Sequence, residues 1–259
     1  MFVAASTLCW PDLELQAAIE LLQDLDFTAV EIAVQESIGP AKPSEILVDE
    51  DRAIQLLRYT HRMDISGYRL ELASTGDEHY EQFHMMCRIA KATKVVNISV
   101  PSAEKGTPFN EEVEHLKKLV AIAEGEGVRL SVRCMLGCLS EDPDTLLVLC
   151  NNIDGLGISL DPSVALIASA ENPAVAKAMA VGKGFDQLLK FVTNVQLRDT
   201  SKDKFQVSVG QGEIDYGKIV TQLEREKYNR ALTVDMVPMD DHDHRVELRK
   251  LRRLLESLI

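Results

Sequence analysis

Short runs of crowded β-branched and apolar residues alternate along this chain with segments whose apolar positions recur every three or four residues. Phe2–Ser6 reads as a first strand. Leu15, Ile19, Leu22 and Leu25 then share one helical face, with Asp12, after Pro11, placed to cap it. The same alternation continues as strand Thr28–Val34, helix Ile46–Arg62, extended Ile65–Ala73, helix Glu78–Ala92 and strand Lys94–Val100. Val113, Leu116, Leu119, Val120 and Ala123 carry the next helical stripe, which Gly125 and Gly127 stop.

The second half repeats the unit. Val128–Val132 is a fifth strand, Pro143–Cys150 a short helix, and Gly157–Leu160 leads a sixth strand to Asp161. Asn172-Pro173 opens a long helix reaching Leu189, followed by strand Val192–Leu197. Asp215 caps a helix through Leu223, Ala231–Met236 is the eighth strand, and Leu248, Leu251, Leu254, Leu255 and Leu258 line a last amphipathic helix. Parallel neighbours need a crossover and a helix supplies it, so eight such pairs predict a single (β/α)8 TIM barrel. An open doubly wound sheet is the alternative. It often starts with a glycine-rich turn, whereas STLCWPD after the first strand has no glycine.

Length and composition narrow this further. At 259 residues and 28.8 kDa, with no linker-like stretch, residues 1–259 read as one domain. No apolar run approaches the roughly 20 residues of a membrane span. The N-terminal MFVAASTLCW lacks a basic region and reads as a buried strand, so the expectation is a cytoplasmic protein without a membrane partner. Five cysteines without framework spacing fit reduced thiols, and Cys134-x-x-x-Cys138 is only a faint zinc signal. A net charge of −13 and a pI near 4.9 repel a phosphate backbone, so nucleic acid is not expected as a partner. The sequence leaves a homo-oligomer open.

A barrel builds its active site at the carboxyl ends of its strands. Those ends carry Ser6 and Thr7 with Cys9 and Trp10 beyond, then Glu31, Arg69 and Glu71, Asn97 and Ser99, Arg133, Asp161, Gln196 with Asp199, and Asp235. Arg198, Lys202 and Lys204, on and after the seventh strand, could take a phosphate or carboxylate or stand as solvated loop charges. Trp10 could stack on a sugar or cap the mouth. The run Asp240, Asp241, His242, Asp243, His244 is rich in donors but reads as a loop and the cap of the last helix.

The segment VQLRDTSKDKFQVSVGQGEIDY, with ISLDPSVAL before it, resembles the C-terminal half of the xylose-isomerase-like sugar phosphate isomerase and epimerase superfamily. Its sharpest element is Gly-Gln-Gly-Glu-Ile-Asp-Tyr at residues 210–216, whose glycines predict a turn with positive φ. The resemblance implies the barrel and a divalent metal held by Glu, Asp, His and Glu at the ends of strands five to eight. Here those positions are Arg133, Asp161, Gln196 and Asp235, and Val164 stands where relatives commonly have histidine.

An arginine about 4 Å from a divalent ion opposes it by roughly 8 kcal/mol at an effective dielectric near 20. The expectation is therefore no cofactor, or a divalent metal weakly held by Asp161, Asp235, Gln196 and water. In its place an ion cluster of Arg133 with Asp161 and Asp235 is expected, and exchanging Arg133 for Glu and Gln196 for His should restore metal affinity. By resemblance the ligand is a sugar or sugar phosphate. The implied activity is isomerase or epimerase chemistry by proton transfer next to a carbonyl, with Asp161, Asp235 or Glu31 as base and Arg133 as electrophile. Glu31 has two alternative roles: a bond to a substrate hydroxyl, or a pair with Arg133 or Arg69. A non-catalytic relative that binds a sugar, a small acid or a protein partner is the rival reading. The related endonuclease acting on abasic DNA does not fit the charge or the missing histidines.

Overall fold

Eight parallel strands close on themselves in sequence order, the last pairing with the first. The computed structural model describes residues 1–171, 186–240 and 242–259. Strands β1 (Phe2–Ser6), β2 (Ala29–Gln35), β3 (Asp64–Glu71) and β4 (Asn97–Val100) form one half of the barrel. The other half is β5 (Arg129–Arg133), β6 (Gly157–Leu160), β7 (Val192–Leu197) and β8 (Ala231–Val234). The described helices are α1 (Leu15–Asp24), α2 (Pro43–Ile46), α3 (Glu50–Arg58), α4 (Gly76–Ala92) and α5 (Phe109–Gly125). They continue with α6 (Pro143–Asn152), α7 (Pro162–Glu171), α8 (Tyr216–Arg225) and α9 (His244–Glu256).

Local chemistry accounts for the departures from the pattern. The helix expected over Ile46–Arg62 is shortened to α3, with α2 ending at Ile46, because Asp49 is extended and its side chain accepts from Arg52 N to cap α3. α1 starts after Glu14 with no side-chain cap, so Asp12 does not cap it. β4 begins only at Asn97, since Lys94 takes a left-handed turn at φ +62°. Asp215 caps α8 as read from sequence, accepting from Lys218 N. The helix expected from Asn172-Pro173 falls mostly outside the described residues, and Leu189, its expected end, lies in a 3-10 turn.

Apolar residues fill the layer between sheet and helices, with Leu22, Phe83, Leu116, Leu149 and Leu251 all inaccessible to solvent. Inside the barrel the filling is polar. Branched apolar layers are usual there, but this axis holds a hydrogen-bonded set. Ser131 donates to Asn97 Oδ1 at 2.7 Å and also contacts Thr193 Oγ1. Thr233 donates to Asn194 Oδ1 at 2.9 Å, and Asn194 Nδ2 donates to Ser159 Oγ at 3.2 Å. Gly157 makes room for this, because a Cβ there would run into the Thr193 side chain. Every buried polar group so paired avoids the desolvation cost of an orphan.

Candidate functional site

Arg198, one residue past β7, is the hub of the barrel mouth. Its Nη2 donates to Asp161 Oδ2 at 2.9 Å and to Asp235 Oδ2 at 2.6 Å, while its plane lies 4.5 Å from the Phe205 ring centre. Asp161 follows β6, and its other oxygen accepts from Ser163 N at 2.9 Å at the start of α7. Asp235 follows β8 and its Oδ2 also accepts from Arg69 Nη1 at 2.8 Å, so two guanidiniums converge on one carboxylate oxygen.

The expected cluster of Arg133 with Asp161 and Asp235 is not formed. Arg133, 1% exposed, turns toward β3 and β4 instead. It donates to the Leu70 and Ser99 carbonyls at 3.2 and 3.4 Å and to Glu71 Oε2 at 3.1 Å. Barrel order explains the exchange. β7 lies between β6 and β8, so an arginine at its end is flanked by both aspartates, whereas β5 adjoins only one of those strands. That order is implicit in the strand count, and it singles out Arg198, for which the sequence alone suggests only a phosphate or carboxylate contact or a solvated charge. Arg69, which reaches across the mouth from β3, has no such signal in the sequence.

Glu31 pairs with neither Arg133 nor Arg69 by direct contact. Its two oxygens accept from Asn194 Nδ2 at 2.7 Å and Gln196 Nε2 at 3.0 Å, which also ties Gln196 away from the aspartates. Burial pushes the Glu31 carboxyl up from the usual range, against the pull of Arg69. Asp235 goes the other way: burial opposes its charge, but Arg198 and Arg69 together hold it below the usual range. Burial raises Asp161 despite Arg198. Arg133 is pressed down to about 9 by burial and by the like charge of Arg69, which still leaves it charged at neutral pH. The Cys9 thiol, beside Asp235, is pushed up to about 12 by burial and is inert as a nucleophile.

The other expected site residues have partners outside the ion cluster. Lys202 pairs with Glu213 at 3.3 Å on an exposed turn, and Lys204 is exposed on the same turn. Trp10 packs edge-on against His244, with ring centres 4.7 Å apart. His244 Nε2 contacts the Cys9 carbonyl at 2.7 Å and Asp243 caps α9, as expected of that run, while Asp241 lies outside the described residues. All five cysteines are buried free thiols.

Sequence reading undervalued Asp199. Its carboxylate accepts from Gly210 N at 2.7 Å and Gly212 N at 3.1 Å, and so anchors the Gly-Gln-Gly loop beside the mouth. Gly210 has the expected positive φ, +94°. Gly212 does not, and is needed because a Cβ there would strike the Asp199 carboxylate.

The donors do not fit a resident divalent ion. Between Asp161 and Asp235 stands a guanidinium, and Gln196 is engaged by Glu31. Among the described residues no group of three or more His, Cys, Asp or Glu is placed to hold a metal. Three guanidiniums (Arg69, Arg133, Arg198) face Asp161, Asp235, Glu71 and the burial-raised Glu31. Glu71, with 39% of its side chain exposed, and Arg69, with 16%, are the edge of this cluster that meets solvent.

Solved structures share the architecture. A D-tagatose 3-epimerase-like protein superposes with a TM-score of 0.74 at 18% identity, covering 100% of this chain and 98% of its own. The D-psicose 3-epimerase of Clostridium cellulolyticum H10 gives 0.75 at 13%, covering 100% and 99%. The probable 3-DHS dehydratase AsbF of Bacillus anthracis gives 0.74 at 12%, covering 99% of each. At such identities these likenesses speak for the fold. No curated protein matches the chain in sequence. Residues 19–258 match the family described as the xylose isomerase-like TIM barrel, and with nearly the whole chain inside that match the protein belongs to this family.

Proposed function

We propose that this barrel binds a sugar or sugar phosphate at its mouth and interconverts the aldose and ketose forms by proton transfer next to the carbonyl, without a resident metal. The observation that carries the reading is the convergence of Arg69 and Arg198 on a single oxygen of Asp235. Two fixed donors aimed at one anionic oxygen are what an enediolate requires, and a guanidinium pair supplies the charge that relatives would draw from an ion. Arg69 is the partner that solvent reaches, so a substrate carbonyl oxygen entering there replaces Asp235 as the acceptor of the Arg69 Nη1 bond.

Glu31 suits the base better than the aspartates, which are both ion-paired to Arg198, whereas among the described residues Glu31 meets only the neutral amides of Asn194 and Gln196. Asp235 is stabilised as an anion by two arginines and is a weak base, whereas burial makes ionised Glu31 a stronger one. The amide of Gln196 serves both states of the carboxyl: as found it donates to Glu31, and turned over its oxygen accepts the proton of neutral Glu31. In the proposed step Glu31 takes the proton from the carbon beside the carbonyl and the negative charge passes to the carbonyl oxygen under Arg69. The hydroxyl proton moves between the two enediolate oxygens, and Glu31 returns its proton to the former carbonyl carbon. One base is enough for this transfer between adjacent carbons. Epimerisation at a single carbon uses groups on both faces, which favours isomerase chemistry.

The test is deuterium incorporation from D2O into a panel of aldose and ketose phosphates, followed by NMR. Glu31→Gln is expected to slow exchange by about 100-fold or more while leaving ligand-induced thermal stabilisation in place. A second reading, a non-catalytic sugar-binding relative, rests on how closed the mouth is: Glu31, Asp161 and Asp235 are each at most 3% exposed and already paired. Stabilisation without exchange selects that reading. Neither stabilisation nor exchange across the panel overturns both.

A further inference from the structure

The opposite end of the barrel has a cleft of about 550 Å³, within the size range of small-molecule sites. It opens at the amino ends of β5 to β8, and its floor is the polar axis at Gly157 and Thr193. Three cations stand around it: Arg129 at the start of β5, Lys190 just before β7, and Arg230 just before β8.

Among the described residues none of the three is salt-bridged, and Lys190 lies over the Phe191 ring, 4.7 Å from its centre. In a chain with 41 acidic and 28 basic residues, a basic side chain has an excess of carboxylates to choose from. Yet among the described residues none of these three has a carboxylate within 4 Å, although Glu124 and Asp154 also line the cleft. Arg230 is only partly exposed, and burial together with the like charge of Arg129 lowers its pKa. Two arginines held near each other without a counter-charge repel, and an anion seated between them relieves that repulsion. The planar donor fork of arginine matches phosphate oxygens in pairs. Val128, Ile153, Leu156 and Phe191 give the cleft an apolar wall beyond the cations.

We propose that this basal cleft is a second ligand site, separate from the mouth, which takes a phosphate monoester with its phosphate on Arg129 and Arg230 and its apolar portion along the Phe191 wall. Lys190 closes the phosphate from the third side.

The experiment is titration of the full chain with inorganic phosphate and with phenyl phosphate, read by calorimetry and thermal shift against sodium chloride at matched ionic strength. Binding of both is expected, with phenyl phosphate the tighter because only it uses the apolar wall. Arg129→Gln combined with Arg230→Gln is expected to weaken both at least tenfold, and Lys190→Gln severalfold. Lys190 is exposed, so that variant remains informative should the double one fail to fold. Lys204→Gln, at an exposed cation on the turn after β7, is expected to leave phenyl phosphate affinity unchanged. No heat or stabilisation beyond the chloride control overturns the proposal, as does binding that survives the basal substitutions or is lost equally with Lys204→Gln. A sugar phosphate isomerase that fails these titrations would leave the reading of the mouth standing, so the two stand or fall separately.

Discussion

Arg198 has the place in the charge arrangement that an ion would otherwise have, and its two aspartates depend on it. Removing one member of a buried ionic set commonly costs about 3–5 kcal/mol, because the remaining charges lose their compensation without regaining water. This changes what rebuilding a metal site requires. Arg133→Glu with Gln196→His restores the donor types the resemblance implies but leaves the guanidinium between Asp161 and Asp235. That double variant is expected to show no Mn2+-dependent rise in melting temperature, and adding Arg198→Ser is expected to produce one. Equal stabilisation of the two variants by Mn2+ would show that Arg198 does not occupy the metal's place. At this scale the sequence placed Asp161, Asp235 and Arg198 at neighbouring strand ends but did not show which pairs with which. Arg133 and Arg198 are the same side chain, and only the neighbours of β5 and β7 around the ring separate their partners.

Elements were legible where a stripe or a capping residue marked them. α5 and α9 carry long apolar faces, and Asp215 and Asp243 cap their helices from positions the pattern predicts. The division between α2 and α3 was hidden because Leu47 and Val48 continue the apolar pattern while the backbone leaves the helix after Ile46 and re-enters it at Glu50. The Gly-Gln-Gly loop shows how one motif holds two different constraints. Gly210→Ala is expected to cost about 1 kcal/mol, since φ +94° strains an alanine but nothing stands within 4 Å of its Cβ. Gly212→Ala is expected to cost more, because its Cβ meets Asp199 Oδ1 and comes 2.7 Å from Thr200 N, and neither can move without loosening the loop. Chemical denaturation of the two variants ranks them. A Gly210→Ala loss equal to or above that of Gly212→Ala would contradict this account of the loop.

The whole molecule combines groups whose ionisation pulls its stability in opposite directions. Asp235, held low by Arg198 and Arg69, contributes stability present above the usual aspartate range and lost as pH falls through its depressed value. Glu31, raised by burial, contributes stability fully present below the usual glutamate range and lost as pH rises through its elevated value. The melting temperature is therefore expected to decline as pH rises from the usual glutamate range through Glu31's elevated value, and Glu31→Gln is expected to make that decline shallower while leaving the acid limb in place. Calorimetry across pH checks this, and an unchanged decline in the variant would mean that Glu31 is not the group responsible. The barrel itself was legible from eight strand and helix units, because alternation leaves parallel pairing as the natural closure. The polar axis was not: Ser131, Asn194 and Thr233 read as ordinary strand residues, and Asn97, read as part of the mouth, stands at the start of β4 instead.

The side-chain cation at Arg198 also removes a step from the life of the protein. A metal centre must be loaded after synthesis, competes for ions of similar size, and can be emptied by a chelator. A guanidinium fixed to the backbone past β7 arrives with the chain. The mouth therefore has its full charge as soon as it folds, in a metal-starved environment as in a replete one.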